Sequence, residues 1–305
     1  MARKISFINY KGGVGKTSCL VNVAACLAKR GKRVLIVDLD AQSNASIWLM
    51  RLELWNKVNQ TGKGSLYSIF EPGNDRLKDI IVRDTVVDKS GKCALPGLDI
   101  IPTTFNLTDL EHEYVGNPHK PHYSIFYEQL KEIEADYDYI FFDCPPNVLY
   151  TSQCGLFCAN EVYVPSNPDA LSLVGLTLLV SKLGQFHQRA LSFRVAGMMK
   201  PCMIQGVLFN SIKPDSDIEV PKMRMQFRLN QFRNAKKVGP NAKIFGSSVR
   251  DAMVVRRAVT LGLPVILIGS MTNEEGESVV TDYQNLATEL ERHYSGVYNS
   301  DGTLR

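Results

Sequence analysis

Residues 11–18 read Lys-Gly-Gly-Val-Gly-Lys-Thr-Ser, and what flanks this octapeptide decides the fold. Upstream, Lys4 to Asn9 (KISFIN) alternates apolar and polar positions, the mark of a short strand. Downstream, Leu20, Val21, Val23, Ala24, Leu27 and Ala28 recur at helical spacing between Ser18 and Arg30, and Gly31 ends the run. A glycine-rich strand-to-helix turn of this kind closes its backbone N–H groups around phosphate oxygens, and the helix N-terminus adds partial positive charge. The cradle would be Gly12, Gly13, Val14, Gly15, Lys16, Thr17 and Ser18, with Lys16 reaching the β- and γ-phosphates and the Thr17 hydroxyl on Mg²⁺.

One residue is out of place. The general phosphate-loop pattern G-x-x-x-x-G-K-[ST] calls for a glycine at position 10, where this chain has Tyr10. A second lysine, Lys11, stands instead five residues before Lys16. One lysine serves the chain's own phosphates, which leaves Lys11 free to serve those of a partner.

Two further strands end on carboxylates. Arg33 to Asp40 (RVLIVDLD) is nearly continuous in apolar residues, as in a parallel sheet covered on both faces, and ligands gather at the carboxyl ends of such strands. Asp38 and Asp40 then point toward the loop, one near Mg²⁺ and one orienting an attacking water. Tyr137 to Pro146 (YDYIFFDCPP) repeats the pattern: Asp143 sits where a Walker-B aspartate holds Mg²⁺, and Pro145 and Pro146 force the chain out of regular structure. The fold expected is α/β, a mostly parallel twisted sheet with helices on both faces.

KGGVGKT, VLIVDLDAQ and YIFFDCPP together resemble the three signature segments of the deviant Walker A ATPases, the ParA/MinD group of P-loop NTPases. The resemblance continues through Val162–Leu176, Gly206–Pro214 and Ala258–Pro264, and so spans nearly the whole chain. It implies a homodimer that sandwiches ATP and Mg²⁺, in which Lys11 crosses to the partner's phosphates. It also implies that Asp40 is the aspartate needed for hydrolysis, that Asp38 and Asp143 lie at the metal, and that Asn210 contacts adenine. Two departures stand out. The family's D-x-D-P-Q is Asp38-Leu39-Asp40-Ala41-Gln42 here, and Arg257 replaces a glutamate common before a late Ala-Pro pair, which reads Ala258-Val259.

The chain has 305 residues, 45% of them apolar, and no uncharged run of membrane-spanning length. The N-terminus enters the first strand directly, with no room for a signal peptide. Seven scattered cysteines form no disulfide framework and fit a reducing compartment. One domain is expected over residues 1–305, with insertions near 51–122 and, in a basic segment, near 213–245.

Net charge is +4, unevenly spread. Between Lys200 and Arg257 stand twelve Lys/Arg against four Asp/Glu, a net +8 that leaves −4 for the remainder. Within it, PKMRMQFRLNQFRNAKK reads as a basic helix packed through Met225, Phe227, Leu229 and Phe232. Lys222, Arg224, Arg228, Arg233, Lys236, Lys237, Arg250 and Arg256 make a candidate footprint for duplex DNA of any sequence. No spacing for base-specific readers occurs. The resemblance then implies a cytoplasmic, nucleoid-associated ATPase that partitions or positions a cargo under a cargo-bound, ParB-like activator. Two alternatives remain. A MinD-like membrane switch would end in a basic amphipathic helix, whereas this chain ends SGVYNSDGTLR. An iron–sulfur carrier or reductase relative would use a cysteine pair such as Cys154 and Cys158, positions that also suit the apolar face of a helix.

Overall fold

The computed structural model describes residues 2–70, 75–113, 121–194, 200–213, 217–269 and 274–297. Its elements in chain order are β1 (Arg3–Phe7), α1 (Lys16–Lys29), β2 (Val34–Asp38), α2 (Asn44–Leu49), α3 (Leu52–Thr61), β3 (Leu98–Ile101), α4 (Leu107–Glu113), α5 (His122–Lys131) and β4 (Tyr139–Asp143). There follow α6 (Tyr150–Cys158), β5 (Glu161–Ser166), α7 (Ala170–Ala190), β6 (Met203–Ile212), α8 (Glu219–Asn234), β7 (Lys243–Arg250), α9 (Met253–Leu261), α10 (Val265–Ile268) and α11 (Glu274–Val297).

The seven strands form one sheet in the order β3-β2-β4-β1-β5-β6-β7, every pairing parallel. Parallel neighbours need crossovers, and the helices that supply them cover both faces, so β2, β4 and β5 are buried almost throughout, while the edge strand β7 is partly exposed. One face buries Leu35, Val37, Phe142, Val164 and Val207 under α5, α6, α7 and α8. The other buries Ile5, Phe7, Ile36, Phe141 and Leu208 under α1 and α11. A buried ion pair ties two central strands: Arg3 meets both Glu161 carboxylate oxygens at 2.7 Å.

The segment expected as an insertion near 51–122 holds β3, the edge strand that extends the sheet beyond β2. In the basic segment, α8 packs through Met225, Leu229 and Phe232 as anticipated, but Phe227 is exposed. Four helix positions separate Met223 from Phe227, and both lie on a second apolar row that the sheet does not use. The C-terminal residues 298–305 lie outside the described residues, as do 214–216 of the basic segment. Among the described residues one helix, α7 continued to Phe193, is long and apolar enough to cross a membrane by length and composition. Its buried row, including Leu176, Leu179, Leu183 and Phe186, lies in the core.

Candidate functional site

Register brings the signature residues to one end of the sheet. Across β2 and β4, Asp38 is the partner of Asp143, and across β1 and β4, Phe7 is. The loop leaving β1 therefore passes directly over the two carboxylates. At its end Gly15 takes φ 74°, the left-handed region, and α1 begins on Lys16. The left-handed φ favours glycine, and a Cβ on Gly15 would lie 1.9 Å from Asn210 Nδ2, so a larger residue would have to displace the Asn210 amide. Asn210, at the end of β6, donates from Nδ2 to the Val14 carbonyl at 3.1 Å and so fastens the loop from the far side.

Gly12, Gly13, Gly15, Lys16, Thr17 and Ser18 line a cavity of about 390 Å³, a size ordinary for a small-molecule site. Asp40 and Asn210 also line it, and so do Trp48, Val255, Val259 and Tyr283, which sequence reasoning missed. Those four arrive from α2, α9 and α11, too remote in sequence to mark themselves. Asp40 is 8% exposed. Its Oδ1 accepts the Gln42 N–H at 3.0 Å and its carbonyl accepts the Ser43 N–H at 2.7 Å. These bonds fix the turn where Ala41 replaces the family's proline.

Asp38 and Asp143 lie fully buried. Asp38 accepts from the Ser46 N–H (2.9 Å) and hydroxyl (2.7 Å) at one oxygen and from the Asp40 N–H (3.2 Å) at the other. Burial foremost, and then the neighbouring Asp143 charge, raise its carboxyl well above the usual range. Asp143 Oδ2 accepts the Thr17 hydroxyl at 2.6 Å, while its Oδ1 is buried with no hydrogen-bond partner. Burial pushes this carboxyl up to about 7. An unpartnered buried carboxylate oxygen beside a threonine hydroxyl, with hard oxygen donors only, is a donor set suited to Mg²⁺. Thr17 and Asp143 would hold the ion; Asp38, its lone pairs engaged by Ser46 and Asp40, sits behind them.

The two lysines part company. Lys16 is 8% exposed and lines the cavity. Lys11 does not line it: its ammonium pairs with Asp169, at the start of α7. Its N–H donates to Asn9 Oδ1 at 3.0 Å, and Gly175 of α7 packs close enough that a Cβ there would lie 3.1 Å from that oxygen. Asp169 escaped the sequence reading, although an acidic residue three before Ser172 at a helix start is a cap signal.

The basic candidates fall in separate places. Arg250 pairs with Asp282 at 2.7 Å and Arg256 approaches Asp251 at 3.5 Å; both line the nucleotide-sized cavity. Arg257 stands exposed on α9. Lys222, Arg224 and Arg228 lie along α8, with Arg228 stacked 4.8 Å over the Phe232 ring. Arg233 bonds Asn230 at 2.8 Å, and Lys236 and Lys237 are exposed just past the helix. Cys154 and Cys158 of α6 are buried in the apolar core, and burial raises both thiols.

A family model described as "AAA domain" matches residues 2–194. The chromosome partitioning protein ParA of Caulobacter vibrioides is 30% identical over 275 residues, covering 87% of this chain and 86% of that protein. The chain belongs to the ParA/MinD family of ATPases. The sporulation initiation inhibitor protein Soj of Bacillus subtilis is 31% identical over 223 residues, 72% of this chain and 77% of Soj. Among solved structures, pNOB8 ParA bound to nonspecific DNA aligns with TM-score 0.67 at 18% identity, over 97% of this chain and 99% of that one. MinD of Pyrococcus horikoshii with Mg-ADP aligns at TM-score 0.62 and 20% identity, over 96% and 97%. These place the sheet and its helices in the ParA/MinD fold.

Proposed function

We propose that this ParA/MinD-family chain is an ATP hydrolase of ParA type whose active unit is a dimer around two ATP molecules. The observation that carries the reading is the division between the lysines: Lys16 inside its own cavity, Lys11 outside it on Asp169. A cation that does not line its own cavity supports a role at a neighbouring subunit's phosphates.

In this reading Lys16 and the N–H groups of Gly12 to Ser18 hold the β- and γ-phosphates, and Asn210 keeps the loop closed around them. Thr17 and Asp143 hold Mg²⁺, which when bound neutralises charge on the β- and γ-oxygens. Asp40, held in its turn by Gln42 and Ser43, orients the attacking water and accepts its proton. Lys11 of the second subunit stabilises the transition state, a contribution of roughly 10³–10⁵ in rate for a cation supplied in trans.

The relatives and neighbours support a partitioning role for the dimer. Pyrococcus horikoshii MinD is bound to Mg-ADP, and pNOB8 ParA to nonspecific DNA. We assign nonspecific duplex DNA as the matrix, with Lys236 and Lys237 as first contacts, since both are exposed just past the end of α8. Hydrolysis, accelerated by a ParB-like protein on the cargo, would dissolve the dimer in the cytoplasm at the nucleoid.

Mixing two inactive variants tests the core of the proposal. Asp40→Ala should bind ATP and dimerise without turnover, and Lys11→Ala should bind ATP without turnover. A mixed dimer has one site with Asp40 intact and Lys11 supplied by the other subunit, so ATPase should return on mixing. No return despite proven heterodimers means Lys11 acts within its own subunit and removes the trans mechanism.

A further inference from the structure

Helix α8 carries more apolar surface than the fold uses. Met225, Leu229 and Phe232 are buried against the sheet, while Val220, Met223 and Phe227, at spacings of three and four, face outward. On the neighbouring α7 the same surplus recurs: Leu171, Val174 and Leu178 are exposed at spacings of three and four, apart from the row that enters the core. Val174, Met223 and Phe227 are each about two-thirds exposed. Val174 and Leu178 from the one row and Met223 and Phe227 from the other line a groove of about 920 Å³. Scattered surface apolar residues need no explanation, but two helical rows facing one trough do. Parallel rows at helix spacing are the seat into which the ridge of a third helix fits.

Charge selects among occupants. Arg224 and Arg228 line the groove, and among the described residues no Asp or Glu does. A two-fold contact with a second copy would press this arginine-bearing trough against an identical one that offers the arginines no acidic partner among its lining residues. Duplex DNA would gain from the arginines but leave Met223, Phe227 and Val174 without use. A concave trough also suits a rod better than a flat lipid surface. We propose that the α7–α8 groove docks an amphipathic helix of a different protein, apolar along one face and acidic on its flanks. The groove begins on α7, the helix whose first turn carries Asp169 and whose Gly175 packs on the Lys11 backbone. An occupant would therefore touch the element that holds Lys11.

The inference does not depend on nucleotide and is tested on the full-length protein with a defined probe. The probe is a fluorescein-labelled synthetic helix of about 18 residues, long enough to be partly helical alone, with a leucine row flanked by glutamates. Its counterpart is the same peptide flanked by lysines. Anisotropy at low salt should show the glutamate peptide binding at least about tenfold tighter, and Phe227→Glu or Val174→Glu should abolish that binding. Because both positions are exposed, melting temperatures should stay at the wild-type value. Arg224→Glu with Arg228→Glu should reverse the preference toward the lysine peptide, which a merely sticky surface would not do. Equal binding of both peptides, or binding of neither, overturns the proposal. It is equally overturned if Phe227→Ser lowers ATP-driven dimerisation, which would give the face to a second copy. Phe227-dependent adsorption to phosphatidylglycerol vesicles, without discrimination between the peptides, would give it to a membrane.

Discussion

Lys11 is ion-paired with Asp169, and Asp169 at the same time caps α7 by accepting the Ser172 N–H at 2.8 Å. The lysine that sets this loop apart is thus held by the start of α7, and the proposed reach to another subunit's phosphates would require it to leave Asp169. A half-exposed pair of this kind is worth about 0.2–1 kcal/mol. Asp169→Asn keeps a capping oxygen and removes the charge. With two such pairs opened per dimer, it should shift ATP-driven dimerisation to a roughly two- to thirtyfold lower protein concentration, read by light scattering, with ATP affinity unchanged. An unshifted dimerisation curve would show that releasing Lys11 is not a step in assembly.

The loop's glycines are not equivalent. Gly15 has φ 74° and Asn210 Nδ2 where a Cβ would go, whereas Gly12 has neither a positive φ nor any atom within 4 Å of that position. Gly15→Ala should therefore cost about 1–2 kcal/mol of stability and abolish ATP binding by calorimetry, although every charge is intact. Gly12→Ala should melt with the wild type. Equal melting of the two variants would mean that position 15 does not hold the left-handed conformation in solution.

Burial pushes the Asp143 carboxyl up to about 7 in the ATP-free protein, against the Thr17 hydrogen bond and the Lys16 charge. Holding Mg²⁺ requires the ionised form. Mg·ATP binding near pH 6 should thus release a proton, and affinity should rise with pH up to about 7 and then level. Calorimetry in two buffers of different ionisation enthalpy reads the proton directly. Asp143→Asn should lose both the release and the Mg²⁺ dependence; proton release that persists in this variant assigns it to another group.

What the sequence made legible was local. Gly15-Lys16-Thr17 and the apolar runs ending at Asp38 and Asp143 are contiguous signals, and each landed at one end of the sheet. Strand β3 is four residues, LDII, inside a long irregular stretch, too short for its period to register. Ser46, which holds Asp38, lies eight residues beyond it, and Asp169 lies 158 residues from Lys11. Such pairings exist only after the crossovers are drawn. In α8 both apolar rows have helical spacing, so periodicity alone could not say that Met225, not Phe227, faces the sheet.

DNA binding separates the two uses of the basic segment. Lys236 and Lys237 are exposed beyond α8, whereas Arg224 and Arg228 border an apolar trough. Phosphate contacts release counterions, so log affinity for any duplex should fall with log salt at a slope of about −0.9 per phosphate neutralised. With Asp40→Ala protein held dimeric by ATP, each subunit contributes its cations to one surface, and reversing Lys236 and Lys237 to Glu removes four contacts per dimer. The slope should flatten by about 3–4, and affinity for unrelated duplexes should drop alike. Arg224→Glu with Arg228→Glu should leave the slope within about one unit of the parent, because those side chains serve the groove. If the second pair flattens the slope and the first does not, the footprint runs along α8 itself. Should neither pair change it, Arg250 and Arg256 are next to test, and their ion pairs with Asp282 and Asp251 would have to open for DNA to be met there.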